Sequence, residues 1–495
     1  MNALLVYPEF PATFWSFKHA LKFVGKKSSF PPLGLLTVAA MLPEDWQLKL
    51  VDMNVRRLRQ KDVEAADIVM ISAMTVQQES TEHVIKLAKS LGKTVIAGGP
   101  LFTCEPEKFP EVDHLILNEG ELTLAPFLKD FTAGCAQRIY AEGSRYPELA
   151  ETPVPRWDLV RVNDYASLSI QFSRGCPFNC DFCNVTALLG HRPRLKSVSQ
   201  IISELDAIYA SRWRGSVFFV DDNFIGNKRM LKRELLPALI EWQQDKTGIP
   251  FYTEASINLA DDEGLMDMMA HAGFDTVFIG LETPSEEGLA DCNKKQNVGR
   301  DLVACVHKIQ RHGLQVQGGF IVGFDSDNEN IFQRQIDFIQ HSGIVMAMVG
   351  ILQAPVGTAL YERMKEEGRL LGNSLGNNTK AVSNFVTKMH PEKLRDGYRN
   401  LFKGLYLPKP YYKRVKTFLS NYKAPVVTQP LDYIKFRAFL RSCVRLGVLG
   451  RERFQYWKLL AWVIFRRRAL LPLAVNLAIV GHHFRKVYEK DAATG

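Results

Sequence analysis

Cys176, Cys180 and Cys183 stand as Cys-x3-Cys-x2-Cys within the run Ser-Arg-Gly-Cys-Pro-Phe-Asn-Cys-Asp-Phe-Cys. Three thiolates so spaced can ligate three irons of a four-iron cluster and leave the fourth open. An open iron can chelate the amino and carboxylate groups of S-adenosylmethionine (SAM) and pass an electron into its sulfonium, chemistry that no side chain performs alone. A zinc knuckle is the competing use of such cysteines. Zinc sites want four ligands in pairs, and no fourth Cys or His completes this set nearby.

The elements around the cysteines alternate strand and helix. Apolar runs at Ala3–Tyr7, Leu48–Val51, Ile68–Ser72, Thr94–Ala97 and His114–Leu117 predict buried parallel strands, with helices over Pro32–Leu42 and Gln77–Leu91 between them. A βα repeat predicts an open doubly wound sheet over residues 1–140, whose ligands bind beyond the carboxyl ends of its strands. Those ends are Tyr7-Pro8, Asp52-Met53-Asn54, Ser72–Thr75, Gly98-Gly99-Pro100 and Asn118–Glu121. Residues 141–164, proline-rich, read as a linker. Strand-like Ser169–Phe172 runs into the cysteine loop, and five further strands are expected near Ser216–Val220, Phe251–Ala255, Thr276–Ile279, Val316–Val322 and Val345–Leu352. Six parallel βα units make a partial (β/α)6 barrel of the TIM type over residues 165–358, with its chemistry again at the carboxyl ends.

Length and composition fit an α/β chain of two or three domains. The remaining cysteines are scattered singles, unlike a secreted disulfide framework, and no secretory signal is evident, so a reducing cytoplasm is expected. Charge is unevenly placed. Residues 380–495 hold 24 Lys+Arg against 6 Asp+Glu, a balance of +18, whereas residues 1–379 balance at −9. A basic, helical, aromatic-rich domain over 359–495 suggests an anionic surface as partner. Its apolar stretches, Trp457–Phe465 and Ala469–Gly481, fall short of the ~20 residues that span a bilayer. Beside Trp457, Trp462 and Arg466–Arg468, peripheral attachment to the inner face of a membrane is the expectation, with nucleic acid disfavoured.

The cysteine triplet, with Phe182 before its last member, resembles the radical SAM superfamily, and residues 1–355 resemble its members with an N-terminal cobalamin-binding domain. The resemblance implies one [4Fe-4S] cluster on Cys176, Cys180 and Cys183, with SAM held by residues at the barrel strand ends. Asp221 and Asp222 match the position that accepts from the SAM amino group, and Glu254, Ser256 and Glu282 match contacts to its carboxylate and ribose. Gly318-Gly319-Phe320-Ile321 resembles the strand that carries the adenine, with Ile321 reading the base edge. A glutamate common in the family is replaced by Ser326. In the N-terminal domain, Asp52-Met53-Asn54 stands where an Asp-x-His cobalt ligand is common, and Asn cannot replace imidazole. Ser72, Thr75, Gly98 and Gly99 then match a small-residue pocket for the cobalamin nucleotide tail.

Cysteine placement excludes two subfamilies. Only Cys104 and Cys135 lie in the N-terminal domain, too few for the second cluster of a methylthiotransferase, and only Cys443 lies downstream of residue 358. The whole chain is similar to the hopanoid 2-methylase group through Phe30–Leu35, Leu352–Pro355, Met389-His390-Pro391, Gly397-Tyr398 and Tyr411-Tyr412. That similarity implies radical methylation of an unactivated carbon in an apolar lipid, with flavodoxin or ferredoxin as electron donor. Two alternatives stand beside it: carbon–carbon bond or ring formation on a lipid or tetrapyrrole without methyl transfer, and a non-catalytic iron–sulfur protein that docks on membrane or nucleic acid.

Overall fold

Six parallel strands form the first sheet: β1 (Asn2–Tyr7), β2 (Gln47–Asp52), β3 (Ile68–Ser72), β4 (Thr94–Gly98), β5 (His114–Ile116) and β6 (Ile139–Tyr140), in the order β2-β1-β3-β4-β5-β6. The structure is a computed structural model that describes residues 1–494 except 144, 247, 375, 378 and 428–431, with side chains through residue 489. Alternate residues of β1 enter different cores: Leu4 and Val6 join Val69 and Ile71 on one face, and Ala3 and Leu5 join Ile68 and Met70 on the other. Both faces are covered, so these strands are apolar throughout. The chain leaves β1 for β2 on one side and returns to β3 on the other, which puts a switch point, and hence a crevice, beyond Tyr7 and Ser72. The short β6 is a strand that nothing in the apolar pattern announces.

The second sheet is also parallel, in the order β14-β13-β12-β11-β10-β7. Its strands are β7 (Ser167–Ile170), β10 (Ser216–Phe219), β11 (Phe251–Ala255), β12 (Phe274–Glu282), β13 (Gln315–Val322) and β14 (Ala347–Ile351), and β8 (Ser173–Arg174) pairs antiparallel with β9 (Arg194–Leu195) outside the sheet. Two boundaries differ from expectation for local reasons. β7 stops at Ile170 because the Asp221 carboxylate takes the Phe172 and Ser173 N–H groups. β12 runs on to Glu282 through a register shift beside β13 at Gly280.

The C-terminal helices Pro391–Tyr406, Pro408–Asn421, Tyr433–Ser442, Arg453–Arg466 and Leu471–Thr494 do not enclose a core of their own. Tyr398, Tyr411, Phe418, Leu459, Ala478 and Phe484 share one cluster with Val277, Val316 and Val349 of the second sheet. The basic helical region over 359–495 therefore shares its core with the second sheet. It also reaches the N-terminus: helix Lys18–Val24 packs against Tyr433–Ser442 and Leu471–Thr494. Arg441 Nη1 donates to the carbonyls of Lys22 and Phe23, both at 3.0 Å, and His483 Nε2 lies 3.0 Å from the Phe14 carbonyl. Among the described residues no helix is long and apolar enough to cross a membrane.

Candidate active site

The β8–β9 pair closes the neck of a loop, residues 175–193, on which all three cysteines ride. Gly175 precedes Cys176 with φ of 96°, and a Cβ there would lie 2.9 Å from the carbonyl oxygens of both Gly190 and Arg192. Only glycine lets the loop fold back so tightly. Cys176 N–H donates to Gly190 O within the loop, and Asp181 is pinned from outside it, donating to Cys292 O and accepting from Leu360 N–H. Burial pushes the Cys176 thiol up and the Cys183 thiol up to about 12, so loading with iron must displace protons. Among the described residues no three Cys, His, Asp or Glu side chains close around a single metal ion. Three thiols spread along one loop suit the separate corners of a cluster and fail as a zinc cage.

The acids at the strand ends divide into two kinds. Asp221 is fully buried and spent within the protein: its oxygens accept from Phe172 N–H at 3.0 Å and from the Ser173 N–H and hydroxyl, each at 2.5 Å. Asp221, expected to accept from the SAM amino group, spends these acceptor positions on protein donors and so shapes the neck of the cysteine loop. Asp222 is the reverse, with a buried Oδ2 that has no partner among the described residues. Burial raises Asp222 to about 6; it also raises Glu254 to about 8, with help from Asp222 and Asp221. Ser256 donates to Asn258 Oδ1 at 2.6 Å, and its N–H and hydroxyl approach Asn223 Oδ1.

Glu282 holds a left-handed backbone, φ 64°, a conformation that costs a non-glycine residue about 1–3 kcal/mol and marks functional sites. Its carboxylate accepts from Lys294 Nζ at 2.7 Å, both side chains being buried. Burial works against the Lys294 charge, but Glu282 and then Cys180 outweigh it, and the ammonium is held above its ordinary range. Gln335 donates to the carbonyls of Glu282 at 2.9 Å and Ile321 at 3.1 Å, joining the ends of β12 and β13. Gln335 interrupts the apolar stripe Ile331, Phe332, Ile339, and a polar residue on that face was the available signal. Nothing in the sequence singles out Lys294.

A cavity of about 820 Å3 lies between the carboxyl edge of the first sheet and the second. Asn54, Ser72, Gly98 and Gly99 line it on one side, and Gln171, Arg174, Phe218 and Glu254 on the other. A Cβ on Gly98 would meet the Ile116 carbonyl at 2.7 Å, and Gly99 has φ of 93°, so this wall is bare backbone by necessity. That cradle fits a large cofactor. Asn54 faces the cavity, but its amide donates to Pro8 O and Asp52 Oδ1 and accepts from Phe10 N–H, so it props the loop and offers nothing to a metal. Asp52 is turned inward, accepting from the Tyr165 hydroxyl at 3.0 Å, and Thr75 is not among the cavity-lining residues but sits beside Gly376. Asp52 thus has a protein partner, and Thr75 opens the helical turn Thr75–Gln77 outside the cavity lining.

A buried ionic knot ties the cavity's first-sheet wall to the cysteine loop. Arg174, two residues before Cys176, donates to Glu119 at 2.6 Å and to Glu121 at 2.9–3.0 Å, and Arg194 donates to Glu119 at 2.7 Å. Burial alone would raise the Glu121 carboxyl; Arg174 outweighs it and holds Glu121 below its ordinary range.

Residues 26–128 match the family model for the B12 binding domain, residues 170–339 that for the radical SAM superfamily, and residues 358–494 a domain of unknown function. An uncharacterized methyltransferase of Synechocystis sp. is 40% identical over 99% of this chain and 92% of its own length. The hopanoid C-2 methylase of Rhodopseudomonas palustris is 31% identical over 99% of this chain and 94% of its own. Among solved structures, the cobalamin-dependent SAM radical enzyme OxsB with aqua-cobalamin bound matches with a TM-score of 0.62 at 15% identity, over 100% of this chain and 81% of that one. At that identity the likeness concerns fold.

Proposed function

The chain belongs to the radical SAM methyltransferases that carry a B12-binding domain, and from that premise we propose that it methylates an unactivated carbon of an apolar, hopanoid-like lipid. Its cofactors are a [4Fe-4S] cluster, SAM and cobalamin. When bound, the cluster and SAM supply a radical able to remove hydrogen from an unactivated carbon, and cobalamin supplies the methyl group. In this reading Cys176, Cys180 and Cys183 hold the cluster. Asp222 Oδ2 would accept from the SAM amino group, Lys294 would offer its charge to an anionic group of the same molecule, and Ser256 and Glu282 would hold the ribose. Gly318 and Gly319 leave bare backbone for the adenine beside Ile321. Glu254, at the cavity floor, is protonated near neutral pH and can donate a hydrogen bond there.

The lipid reading rests on the cavity's walls. Phe10, Phe14, Trp15, Phe30, Leu33 and Phe218 present a broad apolar surface, suited to a substrate with few polar groups. A lipid substrate resides in a membrane, so approach from the bilayer surface goes with this reading, and a reduced flavodoxin or ferredoxin would serve as electron donor. The test is anaerobic reconstitution with SAM, reductant and methylcobalamin, followed by mass analysis of a bacterial lipid extract. A product heavier by one CH2 is expected. Formation of 5′-deoxyadenosine with no methylated lipid would sink the substrate assignment.

A further inference from the structure

The helices Tyr433–Ser442 and Arg453–Arg466 bury one side and leave the other bare. Ala438, Ser442, Leu446, Tyr456, Leu459 and Val463 face inward. Tyr433, Phe436, Leu440, Val444 and Val448, spaced by three or four residues, form an outward stripe that ends in Leu449. Tyr433 is 74% exposed, Leu449 75%, and on the second helix Phe454 67% and Phe465 87%. Trp457 joins the two helices: its Nε1–H donates to the Gly447 carbonyl at 2.9 Å, laying the indole against the turn that carries Val448. Scattered apolar residues on a surface need no explanation, but a continuous patch marks an interaction site.

Charge says what covers it. Residues 433–468 hold ten Lys and Arg and a single carboxylate, Glu452. Glu452 is buried and ion-paired with Arg485, so it does not offset the surface charge. Arg437, Arg445, Arg451, Arg453 and Lys458 are exposed beside the apolar stripe. Large apolar side chains ringed by cations match the boundary of an anionic bilayer, where the rings enter the acyl edge and the guanidinium groups meet phosphates. The stretch Ala469–Gly481, apolar in sequence, is mostly buried in the shared core and contributes little to this face.

We infer that the face formed by residues 433–465 docks this protein on anionic phospholipid membranes. One helix, Lys18–Val24, separates the face from the cavity. Arg441 holds its last carbonyls, and the segment before it, Phe10–Lys18, supplies part of the cavity wall. The inference deepens the lipid-substrate reading, yet it can be tested with no substrate present.

The test is co-sedimentation of the reconstituted full chain with vesicles of phosphatidylglycerol and phosphatidylcholine, against phosphatidylcholine alone. Binding to the anionic vesicles at low salt, with release at high salt, is expected. Replacing Arg437, Arg451 and Arg453 with Gln should weaken partitioning about fivefold per cation. Phe454→Ser with Phe465→Ser should weaken it by at least about tenfold per residue. SAM cleavage without lipid should match the parent in each variant, which shows that the fold is intact; a variant failing this is replaced by Phe465→Ser alone. Equal sedimentation with neutral and anionic vesicles, or unchanged binding by both sets of variants, would overturn the inference. So would a lipid-independent dimer that the same substitutions dissolve, since a second copy would then be the occupant. Vesicle binding without a methylated lipid would leave the docking face standing and remove the substrate reading.

Discussion

Arg174→Ala is the most informative single change in this protein. The guanidinium lies among Glu119 Oε2 at 2.6 Å, Glu121 Oε1 at 2.9 Å and Gln171 Oε1 at 2.9 Å, and all three charged side chains are at most 13% exposed. Arg194 still compensates Glu119 when Arg174 is removed. Glu121 keeps the Thr152 hydroxyl and its own N–H as donors and is left a buried carboxylate with no cation paired to it among the described residues. Breaking a buried pair from one side costs about 3–5 kcal/mol, most of it the penalty on the stranded charge. Arg174→Lys should recover part of this, because an ammonium can serve one carboxylate and not two in a fork. Arg174→Met with Glu121→Met should recover more than either single change suggests, since both charges leave together. Urea unfolding of the cluster-free protein measures these values. A second readout follows from geometry: the knot joins the first-sheet wall of the cavity to the neck of the cysteine loop. Loosening it should lower methylated product more than 5′-deoxyadenosine. A cost under about 1 kcal/mol, in the range of a solvated surface pair, would refute the reasoning.

Alanine at Cys176, Cys180 or Cys183 should reduce bound iron from about four per chain and abolish reductive SAM cleavage; a single mutant that still forms 5′-deoxyadenosine would contradict the assignment. Asp222→Asn should weaken SAM binding by about tenfold or more with little loss of stability, whereas Asp221→Ala should cost about 1–3 kcal/mol of stability through the stranded Phe172 and Ser173 N–H groups. The opposite pattern, read by calorimetry and thermal melting, would exchange their roles. For Glu254 the sign follows from its raised pKa, 4.5 to about 8. The fold keeps a proton that the unfolded chain has lost, so stability of the cluster-free protein falls as pH rises through that window. His483, lowered by burial to about 4, gives the opposite slope only below its ordinary 6.5. Melting between about pH 7 and about pH 8 therefore reports chiefly on the acids, below the ordinary thiol value of 9.0 from which burial raises Cys176 and Cys183, and Glu254→Gln should flatten the decline.

What could be read in advance was local. The strands of the first sheet are apolar on both faces because both faces are covered, and Leu4, Leu5 and Val6 alone nearly declare β1. The cysteine spacing is likewise a statement about eight consecutive residues. Contacts across long separations left no such trace. Arg174 and Glu119 are 55 residues apart, Arg194 and Glu119 are 75, and each looks like an ordinary surface charge in its own segment. Asp221 was legible as a functional position, but its bonds to Phe172 and Ser173 were not, because only the fold brings those donors to it. The basic tail was legible as a charge imbalance, but of its two apolar stretches Ala469–Gly481 lies mostly in the shared core, and the exposed patch extends from Trp457–Phe465 back to Tyr433.

The embrace of helix Lys18–Val24 by Tyr433–Ser442 and Leu471–Thr494 sets an order on the life of the chain. A ribosome releases the first helix hundreds of residues before the two that seat it, so Phe14, packed against Phe402 and Phe484, and Phe23, packed against His482, lack part of their cover until the last helix is made. During that interval the Phe10–Lys18 segment, which lines the cavity, lacks the contacts that Leu471–Thr494 supplies. Truncation before residue 433 should accordingly yield aggregating protein rather than a smaller enzyme, and pulse-labelled chains should resist protease at Lys18–Val24 only after full-length release. Early protection there would show that the N-terminal segment settles without its late partners.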